Sequence, residues 1–495
     1  MSRIANALCK LNGGKTALAV SALCASIATA MSAQTPTTLQ NFDGKNGSLP
    51  YAGLLQATNG DFYGTTFAGG TNFAGTVFRI TASKTLTTIY NFCSQSGCAD
   101  GRYPEAGLVQ AANGDFYGTT LHGGANGDNG TVFRITPSGT LTSLYSFCGR
   151  SQCIDGARPF AALLRAIDGS FFGTTIYGGA NGFGTVFKIT PSGTLTTLYS
   201  FCAQSGCVDG TNPYAGLIQA TDGYLYGSSL FGGNNGQGTI FKIMPSGTLT
   251  TIHSFCSQSS CADGAGSYTP LVQASDGNFY GVTALGGVNF DGTAFKMTPS
   301  GATTTLYSFC SQVGCSDGAF PQAALVEATD GNLYGTTLYG GDNSDVYCIS
   351  GCGAVFKITP SGTLTSLYSF CTLSGCTDGD GPQTPVLQST NGDFYGTTSL
   401  GGSFGHGIVF SLSEGLGQFV RTQTTAGTVG SVVQILGTDL IGSTGVSFNG
   451  TAAVFKVVSS SLILTTVPSG ASSGKVQVVT PSDTLSSNVP YRVLP

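Results

Sequence analysis

The segment Gly-Asp-Phe-Tyr-Gly-Thr-Thr at 60–66 returns in six further versions along the chain. The aromatic residue before its central glycine falls at Tyr63, Tyr117, Phe172, Tyr226, Tyr280, Tyr334 and Tyr395, with spacings of 54, 55, 54, 54, 54 and 61 residues. A fixed period of this length means that one small unit is copied along the chain. No copy can hide its apolar surface alone, so the copies must pack on one another.

Residues 157–202 show the grammar of a unit. Ala161-Ala162-Leu163-Leu164-Arg165-Ala166 is a short apolar run that stops at Asp168-Gly169. Ser170-Phe171-Phe172-Gly173-Thr174-Thr175 follows, then a loop opened by Gly178-Gly179, then Gly184-Thr185-Val186-Phe187-Lys188-Ile189-Thr190. Pro191-Ser192-Gly193 turns the chain into Leu195-Thr196-Thr197-Leu198-Tyr199-Ser200-Phe201. Aromatic and β-branched runs between Gly, Pro, Asn and Asp predict four short strands per unit. Asn-Gly or Asp-Gly fills the first turn of every copy, from Asn59-Gly60 to Asn391-Gly392, and suggests a type I′ hairpin. No sustained 3.6-residue apolar period occurs in the repeats, so the chain is all-β.

Four-stranded sheets stacked around an axis would leave only short edges, whereas a linear β-solenoid usually has shorter coils. The seventh unit lacks its fourth strand after Ile408-Val409-Phe410, and Thr37-Thr38-Leu39-Gln40-Asn41-Phe42 carries that missing pattern. The expected architecture is a seven-bladed β-propeller over 34–414, closed by an N-terminal strand. Residues 415–417 read as a linker. The strand-and-turn pattern of 418–495 reads as a small immunoglobulin-like β-sandwich. Residues 1–33 read as a signal peptide: Arg3, Lys10 and Lys15 precede an apolar run and a small-residue cleavage pattern. Cys24 follows Leu23, which fits a lipoprotein site poorly, and no other stretch is apolar enough for a transmembrane span. The expected location is secreted or extracellular, with periplasmic or surface retention as variants.

Charged residues make up 9% of the chain and Lys plus Arg number 19, which speaks against nucleic acid as a partner. Beyond the leader, 14 cysteines remain of the 16. They fall as Cys93/Cys98, Cys148/Cys153, Cys202/Cys207, Cys256/Cys261, Cys310/Cys315 and Cys371/Cys376, with Cys348/Cys352 in a unique insertion. Local disulfides suit an exported protein. Zinc held by two pairs from different blades is the alternative. No metal and no cofactor is expected.

The repeat pattern resembles the GloVer tandem repeat of exported bacterial proteins over 37–412, and the tail resembles an IPT/TIG domain. The resemblance implies an exported, propeller-like protein and brings no catalytic residues with it.

His122, His253 and His406 are the chain's only histidines and share no motif, so no catalytic residue is assigned. A carboxylate column recurs at Asp43, Asp100, Asp155, Asp209, Asp263, Asp317 and Asp378. These rim carboxylates would either gather a cation or sugar hydroxyls, or close Asx turns; a feature present in every unit favours the turn. A basic column at Arg79, Arg134, Lys188, Lys242, Lys296 and Lys357 reads as stems laid over apolar neighbours. The largest break in symmetry is the insertion at 342–352 in unit six, where Asp342, Asn343, Asp345 and Tyr347 are the candidate ligand-binding residues. The favoured reading is a non-catalytic exported binding or surface-interaction protein for an extracellular ligand, glycan or protein. A polysaccharide-active lyase or hydrolase and a purely structural envelope protein are the alternatives.

Overall fold

The computed structural model describes residues 35–345 and 348–495, which form one compact unit from Thr35 to Pro495. The expected signal peptide and Tyr347 lie outside the described residues.

Turn chemistry sets the strands of each unit, but not through a type I′ turn. In unit one Ala57 N–H donates to Asp61 O at 2.8 Å and Gly60 N–H donates to Ala57 O at 2.8 Å, enclosing a three-residue loop. Gly60 alone takes a positive φ, +87°, and the Asn59 carboxamide accepts from Asp61 N–H at 3.2 Å. This is the three-residue hairpin with a left-handed glycine at its last position, so the expected type I′ geometry is corrected. Pro191-Ser192-Gly193 uses the same device: Thr190 N–H to Thr194 O at 3.0 Å, with φ +91° at Gly193.

Between such turns lie Leu55–Gln56, Phe62–Thr66, Thr76–Ile80 and Leu86–Asn91, an antiparallel four-stranded sheet. Five further units repeat it. A seventh sheet takes Leu387–Gln388, Phe394–Thr398 and Ile408–Leu412 and receives its fourth strand from the other end of the chain. That strand, Thr37–Asn41, pairs Thr38 with Phe410 and Asn41 with Ile408. In the first six units the third and fourth strands carry a bulge, as between Val186 and Phe187, which adds twist.

The glycine in the middle of the repeated motif has a packing reason. A Cβ on Gly173 would stand 2.5 Å from the tip of the Phe187 ring, and Gly64 and Gly396 face Phe78 and Phe410 in the same way. Large rings therefore fill the sheet faces, and rings also join one sheet to the next. Tyr63 packs on Phe116 at 4.2 Å, Tyr117 on Phe171 at 4.2 Å, Tyr226 on Phe279 at 4.4 Å and Tyr334 on Phe394 at 4.2 Å. Tyr395 of the seventh sheet stacks on Phe62 of the first at 4.3 Å. Hydroxyls repeat the sequence of contacts: Thr65 donates to Ala106 O at 3.0 Å, Thr174 to Ala215 O at 3.1 Å, and Thr397 to Pro50 O at 3.2 Å.

After residue 418 two four-stranded sheets face each other. Val433, Ile435 and Ile463 from one share a core with Val446, Phe448, Val478 and Leu485 from the other. This pair of sheets touches the turns of units seven, one and two. Phe419 N–H donates to Thr390 O at 3.0 Å, Ser461 Oγ to Thr58 O at 2.9 Å, and Gln434 Nε2 to Ala112 O at 3.1 Å.

Candidate functional site

Alternating strand directions place the two kinds of turn at one end of every sheet. The Gly-Gly loops and the cysteine loops fall at the other. The tail binds the turn end, which leaves the loop end open.

The cysteine loops are built the same way in each unit. Among the described residues the seven expected disulfides are formed: Cys93–Cys98, Cys148–Cys153, Cys202–Cys207, Cys256–Cys261, Cys310–Cys315, Cys371–Cys376 and Cys348–Cys352. Two residues beyond the second cysteine of six of these disulfides a carboxylate closes the loop. Asp100 accepts from Ser94 N–H at 2.9 Å, Gln95 N–H at 3.1 Å and the Tyr90 hydroxyl at 2.8 Å. Asp155, Asp209, Asp317 and Asp378 accept from the matching amides and from Tyr145, Tyr199, Tyr307 and Tyr368. Asp263 has His253 instead of a tyrosine, 3.3 Å away. All six are buried; Asp43 alone is exposed and accepts from Lys45 and Asn46 N–H. The column is thus turned inward onto backbone amides, and the tyrosine phenols pay in acidity: burial and the neighbouring carboxylate push Tyr90 up to about 12.

The basic column meets carboxylates: Arg79 reaches the turn residue Asp61 at 2.6 Å, Lys188 the turn residue Asp168 at 2.8 Å, and Lys357 reaches Glu414, just past the seventh sheet, at 3.1 Å. The ammonium groups of Lys188 and Lys296 also lie 5.6 and 5.4 Å from the ring centres of Phe172 and Tyr280.

The three histidines stand in different units. His122 Nδ1 meets Asp128 at 2.7 Å, and Arg102 grips that carboxylate with two nitrogens at 3.0 and 2.9 Å. His406 Nδ1 lies 3.0 Å from Ser48 Oγ, a serine–histidine contact across 358 residues that sequence spacing hides. Ser48 is buried, and the other ring nitrogen lies against Gly44.

The insertion in unit six keeps the loop framework and then departs from it. Asn343 Nδ2 donates to Ser369 O at 3.1 Å, as Asn72 does to Phe92 O and Asn181 to Phe201 O. Its amide is therefore a loop tie shared with other units. The extra chain begins after it and folds back, with Gly340 N–H on Ser350 O at 2.9 Å and Cys352 N–H on Asn343 O at 3.2 Å. Gly351, at φ +91°, would put a Cβ 2.3 Å from Gly340 O, so only glycine fits that crossing. The Cys348–Cys352 bond packs beside Cys371–Cys376, all four sulfurs within 4.8 Å of one another.

Against the unit-five loop this insertion leaves a cleft of about 820 Å³. Phe320 and Tyr339 offer apolar surface, and Asp291, Asp342, Ser344 and Ser350 line it with polar groups. Ile349 stands at its edge with 86% of its surface exposed. Burial and then the nearby Asp317 raise the Asp291 carboxyl. Asp345 is not among the cleft-lining residues. It lies near the buried Asp380, whose carboxyl is pushed up to about 6 by burial and then by the Asp345 charge. Sequence reading missed Asp291, Phe320, Tyr339 and Asp380, which precede or face the insertion rather than belong to it. Other Gly-Gly loops at this end present exposed rings, among them Phe73, Phe290 and Phe404.

Comparison with known proteins adds a family and a likeness of fold. The family model of the Gloeobacter/Verrucomicrobia repeat matches residues 27–208 and 203–410. No curated protein matches in sequence. A fungal alcohol oxidase of the AA5 family, solved with copper, shares 12% identity at a TM-score of 0.50, covering 92% of this chain and 99% of its own. The extracellular domain of a protein described as a hybrid two-component system from B. thetaiotaomicron gives 11% identity and a TM-score of 0.49 over 84% of this chain. The chain spans 45% of that protein's length. A luciferin-regenerating enzyme gives 12% identity, a TM-score of 0.39, and coverage of 63% and 92%.

Proposed function

The chain belongs to the Gloeobacter/Verrucomicrobia repeat family, and we propose that it is an exported, non-catalytic carbohydrate-binding protein built on a closed seven-bladed propeller. Closure is supported by the Tyr395–Phe62 stack and the Thr397–Pro50 bond, which join the seventh sheet to the first as the others are joined. In this reading 34–414 is the propeller, 415–417 the connection and 418–495 an immunoglobulin-like module of the IPT/TIG kind, with 1–33 removed on export. The disulfides support an oxidising compartment outside the cytoplasm. Among the described residues no helix is long and apolar enough to cross a membrane.

One observation carries the choice of ligand: the cleft beside the insertion sets two aromatic rings among carboxylates and hydroxyls. The apolar face of a sugar packs on a ring while its hydroxyls pair with the polar groups around it. The Cys348–Cys352 link lowers the entropy that the loop would lose on binding. A glycan array probed with the oxidised mature chain tests the reading. Replacing 342–352 by the residues at 180–183 should leave the melting transition in place and abolish the array signal. A chain that captures no glycan, or one whose affinity survives the replacement, refutes it.

A further inference from the structure

In the closed ring a second site falls on the axis. The chain segments that enter the first strands crowd together. A Cβ on Gly107 would stand 3.1 Å from Gly53 O, and one on Gly53 2.8 Å from the Pro385 ring. Units seven, one and two thus converge at these segments, which makes the first strand of each sheet the inner one.

Four residues before each first strand stands one side chain per unit: Tyr51, Glu105, Phe160, Tyr214, Tyr268, Gln322 and Gln383. All seven are part-exposed, whereas the next residue, from Ala52 and Ala106 to Thr384, is mostly buried. They are the least repeated residues of an otherwise regular stretch. Phe160 meets Tyr214 at 4.9 Å and Tyr214 meets Tyr268 at 5.6 Å, both edge-on. Glu105 enters no hydrogen bond or ion pair among the described residues. Its charge acts on the phenols of Tyr51, one unit back, and Tyr214, two units on, and adds to the burial that raises both. Glu105 occupies the position equivalent to Tyr51 in the unit before it and Phe160 in the unit after it. Burial alone, with no cation beside it, pushes Glu105 up to about 7.

We propose that this axial mouth binds an alkylammonium cation, with Glu105 as the counter-charge and Tyr51, Phe160, Tyr214 and Tyr268 as its aromatic wall. Ring faces attract a desolvated cation, and a neutral ligand would leave the carboxylate uncompensated. The proposal rests on ring closure and not on the cleft of unit six.

Titration calorimetry with choline on the oxidised mature chain tests it, with the uncharged isostere 3,3-dimethylbutanol as control. Choline should saturate one site, and the isostere should bind at least about tenfold more weakly. Glu105→Gln should weaken choline by a similar factor of about ten, and Phe160→Leu by a few-fold, with melting unchanged. Affinity should also fall as pH drops from about 8 to about 6, because protonated Glu105 loses its charge. Absence of saturable choline binding, equal binding of the isostere, or a Glu105→Gln chain that binds as before overturns the site. Ring failure is read separately: it appears as unchanged melting when 37–42 is deleted.

Discussion

Each cysteine loop bends through a left-handed residue between its two cysteines. Four loops place glycine there, at Gly97, Gly206, Gly314 and Gly375, while Gln152 and Ser260 hold φ of +58° and +56°. A side chain in this region costs roughly 1 kcal/mol, and glycine returns part of that through its freer unfolded state. Gln152→Gly and Ser260→Gly should each stabilise by about 0.5 kcal/mol in denaturant titration; a loss at either site contradicts the strain. His253 is the second odd residue. It stands where five units have a tyrosine bonded to the loop aspartate, and burial holds its imidazole below the usual 6.5 against the pull of Asp263. The folded chain resists the proton that the unfolded chain accepts, so this contribution is intact above pH 6.5 and shrinks as pH falls below it. His253→Tyr should flatten the stability profile in that acid window and leave neutral pH little changed or improved. The aspartate column was visible in the sequence, whereas its bond to the tyrosine ten residues earlier was not read there and emerges from the fold. Glu105 and Asp380 were not visible as perturbed acids, because nothing in their local sequence reveals the burial that raises them.

At the scale of elements, local chemistry explains most of what could be read. Turn residues and a period near 54 locate the strands because hairpin pairing is short-range. The composite sheet was legible for another reason: Thr37–Asn41 carries a fourth-strand pattern with no unit of its own. What stayed hidden is how the insertion of unit six uses its residues. Asn343 lines the cleft while its side-chain nitrogen ties the loop to Ser369 O, and Tyr339 and Phe320, which the sequence reading did not single out, line it as well. Deleting 37–42 should expose the backbone edge of Ile408–Leu412 and remove Phe42 from the core shared by the first and last sheets. A large fall in melting temperature and aggregation are expected by calorimetry and light scattering. A chain starting at 44 that melts like the longer one disproves the role of this strand.

At the scale of the molecule, the tail sits over the seam. Its contacts reach Thr390 and Gln388 in unit seven, Thr58 in unit one and Ala112 in unit two. Leu416 also packs against the core between units six and seven. The seventh sheet holds the one joint made by hydrogen bonds alone, since Thr37–Asn41 and Ile408–Leu412 come from opposite ends of the described repeats, while residues 42–54 carry the chain on to the first sheet. The six consecutive pairs from the first sheet to the seventh are each tethered by a cysteine loop that a disulfide shortens, worth about 2 kcal/mol of unfolded-state freedom each. The tail is placed to brace that joint from the turn end. Removing 418–495 should leave the seven sheets folded but loosen that joint. Hydrogen exchange resolved by residue should speed up at 37–41, 408–412 and 55–66, while 185–200 and 239–254 in units three and four keep their protection. Uniform acceleration, or none, would show that the tail does not brace the seam.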